Sequence, residues 1–280
     1  MIVDFHTHVF PPEVIARRDR FLRAEPAFAA LYASPKAKLA NADDLLASMG
    51  AAGVDISIAL GFAWSDAATC GLHNDYLLEA AAQSGGRILP FCTLPLAAGE
   101  AAIAAEARRC AARGARGFGE LRPVDLAFDF GAQPGRRLAA LARELDLVLL
   151  LHASEPVGHA YPGKRGLGLE ALYAFACENP DTKVVAAHWG GGLPFYALMP
   201  EVKLALGNVC FDTAASSLLY APAVYRLVVE LVGAERILFG SDFPLLSQAR
   251  ARAEVESAMP VAAARDLILG GNARRLLALE

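Results

Sequence analysis

Six side chains able to bind a metal or transfer a proton lie at the ends of short apolar segments. They are His6 and His8, which end the first segment, and Glu120, His152, His188 and Asp242, which end four later ones. Residues i and i+2 of a strand point to the same face, so His6 and His8 can offer two imidazoles to one cation. Imidazole and carboxylate are ligands that suit zinc and its neighbours. One such histidine is usually a core residue, but the five segment ends together predict a metal site.

The apolar segments alternate with alanine-rich amphipathic stretches such as 43–52 and 100–113. Eight strands are expected, at residues 2–5, 55–60, 88–93, 117–121, 147–152, 184–188, 209–213 and 237–241. Near-continuous apolar strands are typical of a sheet covered on both faces. The order predicts an α/β protein, a (β/α)8 TIM barrel formed by one domain over residues 1–280, with the strand ends at one mouth. A doubly wound open sheet is the alternative.

The connection after the first strand, residues 11–41, is longer than a simple strand-to-helix link. We expect it to form an inserted helical segment over the mouth, and it is a candidate lid.

Composition limits the kind of partner. The 280 residues carry 26 Lys and Arg against 30 Asp and Glu, a net charge of −4, which argues against a nucleic-acid binder. The five cysteines form no C-x-x-C pair and are expected to be free thiols. The first residues lack a signal-peptide pattern, and the longest apolar run, 147–151, is too short to span a bilayer. A cytoplasmic protein that contacts no membrane is therefore expected.

Several motifs resemble the amidohydrolase superfamily, in the amidohydrolase-related branch that includes aminocarboxymuconate-semialdehyde decarboxylase. They are VDFHTH at 3–8, LH at 151–152, AHWGGGLP at 187–194, FGSDFP at 239–244 and LGGNARRL at 269–276. The resemblance implies a barrel whose metal, most simply zinc, is bound by His6, His8, His152 and Asp242. It implies that His188 is a second-metal ligand or a catalytic acid or base, and that Asp242 binds the metal, orients water or takes its proton. It also implies a possible homo-oligomer.

Glu120 departs from that branch, whose decarboxylases mostly hold one metal without a carboxylate from the fourth strand. TatD-like nucleases and some related hydrolases have Gly-Glu at this point, as Gly119 and Glu120 stand here, and their glutamate bridges two metals. The alternative is an ion pair between Glu120 and Arg122. The number of metal ions, one or two, stays open.

Weaker candidates surround the predicted mouth. Arg122 could hold a substrate carboxylate as a bidentate fork, or form a surface salt bridge. The loop 155–165 could line the pocket through His159, Tyr161 and Arg165. Trp64 could stack on a flat substrate or plug the barrel rim. His73 is expected to belong to a helix cap.

The sequence predicts first a metal-dependent hydrolase of a small carboxylate-bearing amide, lactone or ester, in which a metal-activated water attacks a carbonyl. The second possibility is a non-oxidative metal-dependent decarboxylase of an aromatic or dienoic acid. A metal-bound barrel without turnover is a third, disfavoured by the complete ligand set. A nuclease is disfavoured by the net charge. A bridging Glu120 favours hydrolysis, and a salt-bridged Glu120 leaves decarboxylation open.

Overall fold

A computed structural model describes residues 1–280 and contains one sheet of eight parallel strands that pair in chain order. The strands are β1 Val3–His8, β2 Ile56–Leu60, β3 Ile88–Cys92, β4 Gly117–Leu121, β5 Val148–Leu151, β6 Val184–Ala186, β7 Val209–Asp212 and β8 Ile237–Leu238. The sheet closes through single hydrogen bonds, in which Phe5 N donates to Phe239 O (2.7 Å) and Asp242 N donates to His6 O (2.9 Å). The predicted TIM barrel is therefore confirmed.

Helices surround the sheet. Eight are α1 Pro12–Ala16, α2 Arg18–Ala24, α3 Pro26–Tyr32, α4 Ala42–Ala52, α5 Ala67–Gln83, α6 Glu100–Ala112, α7 Gln133–Glu144 and α8 Leu169–Glu178. Further helices cover Pro200–Ala205, Ser216–Leu219, Ala223–Val232, Gln248–Ala258, Ala262–Asp266 and Asn272–Leu277, the last preceded by a π-helical turn at Leu267–Gly271. None is long and apolar enough to cross a membrane.

Local signals set several helix ends. Asn41 and Asp44 form a reciprocal capping box at the start of α4, and Gly53 ends it with φ 63°. Asp66 caps α5 by accepting from Thr69 N at 2.8 Å. The helix therefore begins at Ala67, and His73 lies in its interior. The expectation that His73 belongs to a cap was wrong.

Two apolar layers explain the near-continuous hydrophobic strands. Phe5, Phe91 and Leu150 belong to a small cluster inside the barrel, which the C-terminal Leu277 joins. A larger cluster, including Leu149 and Phe211, packs between sheet and helices. Both faces of each strand are buried, so neither face needs polar residues until the strand ends.

Two strands are irregular next to functional residues. The β1–β2 pairing shifts register between Asp4 and Thr7, and the β4–β5 pairing shifts between Phe118 and Leu121. Irregularities of this kind change the direction in which nearby side chains point. They flank His6 and Glu120, and both of these side chains lie among the clustered polar groups at the mouth.

The inserted segment is helical, as expected, and consists of α1, α2 and α3. Glu25, which joins α2 to α3, accepts from the backbone and hydroxyl of Ser65 at 2.9 and 2.7 Å. Phe28 on α3 packs against Trp64 with ring centroids 5.3 Å apart. These contacts fix the segment to the loop that follows β2.

Candidate metal centre

Glu120 lies at the centre of a buried cluster formed by four histidines. Its Oε1 is 2.6 Å from Nδ1 of His152 and 3.2 Å from Nε2 of His188. It is 3.8 Å from Nε2 of His6, and Oε2 is 3.8 Å from Nε2 of His8. Two groups of potential ligands therefore share this carboxylate, one with His6 and His8 and the other with His152 and His188.

His6 and His8 present nitrogens to a common point. Their Nε2 atoms are 3.2 Å apart. Asp212 Oδ2 lies 2.8 Å from Nδ1 of His6, which places the proton of a neutral His6 ring on Nδ1 and the lone pair on Nε2. Nδ1 of His8 is buried and has no hydrogen-bond partner.

His152 and His188 are oriented by backbone carbonyls. Nε2 of His152 donates to Gly163 O at 2.9 Å, and Nδ1 of His188 donates to Ala214 O at 3.2 Å. In a neutral ring the remaining nitrogen of each residue would turn a lone pair toward Glu120, and in a protonated ring it would donate to Glu120. A lone pair and a carboxylate oxygen repel each other unless a proton or a cation lies between them.

Asp242 completes the cluster from the chain beyond β8. Its Oδ1 is 3.7 Å from Nε2 of His6 and 3.6 Å from Nε2 of His8. The residue adopts φ 63°, a left-handed conformation that aspartate tolerates better than most side chains.

His188 does not end a strand as predicted. β6 stops at Ala186, and His188, Trp189 and the three following glycines all have φ between 55° and 94°. This left-handed turn carries His188 over the mouth. Gly191 is required there, because a Cβ would lie 2.6 Å from Ser154 O.

Burial and the neighbouring charges shift the pKa values of the clustered side chains in opposite directions. Burial lowers the pKa of His6, but Asp212, Glu120 and Asp242 outweigh this effect and raise it to about 10. Burial and the neighbouring His6 lower the pKa of His8 to about 4. Burial disfavours ionisation of Glu120, but the attraction of His152 and hydrogen bonds to two histidines hold its pKa well below the usual range.

The donor set fits a divalent cation. Four histidine nitrogens and two carboxylates converge, and the opposite ring nitrogen of three of the histidines is fixed by a carboxylate or a carbonyl. Such outer contacts set the tautomer of a ligating imidazole. A cation at this point would satisfy the lone pairs that otherwise oppose Glu120.

Comparison with known proteins identifies the family. The family model described as amidohydrolase matches residues 3–279. The chain belongs to the amidohydrolase family. The resemblance inferred from the sequence motifs is thereby confirmed.

Solved structures share the fold along the whole chain. A 2,6-dihydroxybenzoate decarboxylase from Rhizobium has 20% identity and a TM-score of 0.77, covering 99% of this chain and 98% of that one. A 5-carboxyvanillate decarboxylase from Novosphingobium aromaticivorans, with bound manganese, has 16% identity and a TM-score of 0.82, covering 100% and 97%. A dihydroxybenzoic acid decarboxylase from Polaromonas sp. JS666, also with manganese, has 18% identity and a TM-score of 0.75, covering 99% and 97%.

In this member of the amidohydrolase family, Arg122 lies beside the cluster rather than on the surface. Its side chain is buried, and Nη1 is 3.8 Å from Glu120 Oε2. Nε donates to Asp125 at 2.7 Å and Nη2 donates to Gly163 O at 3.2 Å. The surface salt bridge considered for Arg122 is therefore absent, and the guanidinium is instead buried in ion pairs with Asp125 and with Glu120, the latter being the pair considered as the alternative role of Glu120.

Three weaker candidates lie outside the cluster. His159 and Arg165 are exposed on the loop after β5, and His159 stacks on Tyr161 with centroids 5.4 Å apart. Trp64 is 0% exposed, and its Nε1 donates to Nδ1 of His73 at 2.8 Å. Of the two roles considered for Trp64, plugging the rim fits a ring that the inserted helices cover.

Sequence reasoning missed two residues. Asp212 ends β7, so the rule that polar residues end apolar strands applies to it as well. Tyr32 ends α3 in the inserted segment, and no sequence signal marks it. Burial and the negative charge of Asp242 raise the pKa of its hydroxyl, which brings Tyr32 into the electrostatic surroundings of the cluster.

Proposed function

We propose that this protein is a divalent-metal-dependent, non-oxidative decarboxylase of a small aromatic acid. This reverses the order of the two functions that the sequence predicted. The whole-length likeness of its fold to carboxy-lyases of hydroxylated benzoic acids supports the proposal. The observation that carries it is the buried Arg122 at the edge of the imidazole and carboxylate cluster.

Arg122 has the chemistry to hold a substrate carboxylate. Nε and Nη2 donate to Asp125 and Gly163 O. Nη1 is paired with Glu120 at 3.8 Å, beyond hydrogen-bonding distance, so it is the nitrogen that can donate to a ligand. A charge-assisted hydrogen bond in a buried setting is strong, and a planar guanidinium also fixes the orientation of a carboxylate.

We assign the metal-binding role to His6, His8, His152 and Asp242, with Glu120 and His188 as further ligands. A bound divalent ion would supply a Lewis acid that gathers the substrate carboxylate and a neighbouring oxygen into one orientation. During decarboxylation the bond from the ring carbon to the carboxylate breaks, carbon dioxide leaves, and a proton takes the vacated position. Asp242 or His188 would hold that proton beside the ring.

The direct test measures carbon dioxide release. Protein loaded with Mn²⁺ or Zn²⁺ is incubated with hydroxylated benzoic acids, and loss of substrate absorbance is recorded alongside carbon dioxide. We expect turnover of acids with a hydroxyl next to the carboxylate, and none after chelation. Arg122→Lys should raise KM about tenfold or more, since a single ammonium cannot keep the contacts to Asp125 and Gly163 and also present a fixed donor to the ligand. Absence of carbon dioxide release across the series with metal-loaded protein would contradict the proposal.

Hydrolysis is the second candidate, and one observation favours it. Glu120 approaches all four histidines and belongs to both ligand groups. A carboxylate shared by two metals would suit a site that activates water. Hydrolysis of ester, lactone and amide substrates is therefore measured in parallel with the decarboxylation of the benzoic acids. Two metal ions per chain, with Glu120→Gln losing one of them together with hydrolysis, would favour this candidate.

The identity of the metal and the assembly of the chain are also proposals. The sequence predicts zinc, whereas two of the similar structures hold manganese. Metal analysis of protein purified without chelator distinguishes the two ions. A homo-oligomer stays a prediction, which sedimentation velocity would test.

A further inference from the structure

Asp212 is a fully buried carboxylate at the end of β7, and its two oxygens face different partners. Oδ1 accepts two backbone hydrogen bonds, from His188 N at 2.9 Å and from Ala214 N at 3.1 Å. Oδ2 accepts from Nδ1 of His6 at 2.8 Å. The side chain is 0% exposed, so water does not replace any of these contacts.

We propose that Asp212 is a positioning residue that selects the tautomer of His6 and so keeps Nε2 of His6 available to a metal. This inference rests on the proposed metal-binding role of His6. Only a ring nitrogen without a proton can bind a metal. The carboxylate can only accept a hydrogen bond from Nδ1, which leaves the lone pair on Nε2.

The same carboxylate also holds the second part of the cluster. His188 adopts φ 55°, an unfavourable conformation for a residue with a Cβ, and its N–H is bound by Oδ1 of Asp212. One buried side chain therefore connects the His6 side of the cluster with the His188 side.

An amide at position 212 could not accept hydrogen bonds from all three donors, which are Nδ1 of His6 and the backbone N–H groups of His188 and Ala214. In Asp212→Asn the single oxygen is expected to face the two backbone N–H groups. The opposite orientation would leave both N–H groups buried without acceptors, at about 1–3 kcal/mol each. The amide nitrogen would then donate to Nδ1 of His6. His6 would carry its proton on Nε2, pointing at Nε2 of His8 only 3.2 Å away. An amide that replaces a carboxylate in this way locks an imidazole in the wrong tautomer.

Comparing the wild type with two variants of Asp212 distinguishes tautomer selection from a purely structural role. Zn²⁺ affinity is measured by competition with a chromophoric chelator for the wild type, Asp212→Asn and Asp212→Ala. We expect Asp212→Asn to bind about 10- to 100-fold more weakly than the wild type. Asp212→Ala should lie between them, because a vacant position leaves His6 free to take either tautomer. If Asp212 only supported the structure, alanine would weaken affinity at least as much as the isosteric asparagine.

Asp4→Asn is the matched control. Asp4 is also 0% exposed and accepts from Ser241 N and Gln248 Nε2, both at 2.9 Å, and from the backbone N of His6 at 3.2 Å, but it bonds to no imidazole ring. Its substitution leaves the tautomer of His6 unaffected, so the loss of Zn²⁺ affinity should be much smaller than in Asp212→Asn. A loss equal to that of Asp212→Asn would overturn the inference.

A measurement on the unmodified protein keeps the inference testable should a variant fail to fold. Nitrogen-15 histidine spectra of the Zn²⁺-loaded wild type should show the proton of His6 on Nδ1. Zinc binding with the proton on Nε2 would overturn the tautomer argument. A wild type that binds no metal would instead contradict the proposed function.

Discussion

Metal binding by His8 is tested most directly by removing its imidazole. In His8→Ala we expect most of the bound metal to be lost with little change in the fold, because the residue lies at the mouth and not in either apolar cluster. Metal content per chain, measured by mass spectrometry after purification without chelator, checks this. His159→Ala, on the exposed loop, should keep its metal. Full occupancy in His8→Ala would remove His8 from the ligand set.

His188 can act as a ligand or as a proton carrier, and one variant distinguishes these roles. His188→Asn should lower kcat by about 100-fold or more, the size expected from the loss of one positioned proton-transfer group. If metal content is unchanged, His188 moves a proton. If one of two metals is lost, it is a ligand. Near-native turnover would show that the ring at 3.2 Å from Glu120 has only a packing role.

The residues that sequence reasoning found are those whose type alone is informative. Histidine and acidic residues at apolar strand ends are rare enough to be noticed, and all six lie in one cluster. The orientation of each ring was not predictable, since it depends on Gly163 O, Ala214 O and Asp212 from distant parts of the chain.

At the scale of elements, α5 contributes a pH-sensitive contact to the chain that follows β1 and to the loop that follows β2. Nδ1 of His73 accepts from Trp64 and Nε2 donates to Val9 O at 2.8 Å, so the ring must be neutral. Burial lowers its pKa to about 4, below the ordinary 6.5. The unfolded chain therefore binds more protons between these values, and the stability supplied by neutral His73 is complete above pH 6.5 and is lost as pH falls toward 4.

Comparison with His73→Asn isolates this effect in chelator-treated protein. The stability difference between wild type and variant should shrink by roughly 2 kcal/mol from pH 7.5 to pH 5, at about 1.4 kcal/mol per pH unit below 6.5. Denaturant titration at both pH values measures it. Other titrating groups are common to both proteins and cancel. His159→Asn serves as the exposed control, and a pH-independent difference for His73→Asn would contradict the assignment.

The boundaries of elements were predicted less well than their order. β6 was expected to reach His188 but stops at Ala186, because a run of left-handed residues follows. The role of Trp64 was left open by the sequence for a different reason. The helices that bury it belong to the inserted segment, whose packing on the loop after β2 depends on contacts such as Glu25 with Ser65. Single-sequence patterns contain no information on that contact.

At the scale of the whole molecule, the fold was predictable because a parallel barrel imposes the same demand on every strand. Each must be apolar on both faces and must be followed by a helix, so the pattern repeats eight times along the chain. The features that build the site follow no such repeating pattern. The site depends on a register shift beside His6 and on another beside Glu120, and neither shift can be recognised from the residue types in the sequence.

The separation of core and site predicts how the metal-free protein behaves. The barrel interior and the layer beneath the helices are apolar clusters that include none of the six metal-binding candidates. Burial of these clusters holds the fold together, unlike a zinc finger, whose metal binding supplies its folding energy. After chelation we expect a single cooperative thermal transition well above room temperature.

Added metal should raise that transition by an amount set by mass action. A ligand at 100 times its Kd adds about 2.7 kcal/mol, and a domain of this size gains roughly 2–4 °C per kcal/mol, so a rise of about 5–10 °C is expected. Differential scanning calorimetry with and without Zn²⁺ measures it. His8→Ala should unfold at a temperature close to that of the chelated wild type and show little response to Zn²⁺. Loss of cooperative unfolding at room temperature after chelation would mean that the metal, and not the apolar clusters, supports the barrel.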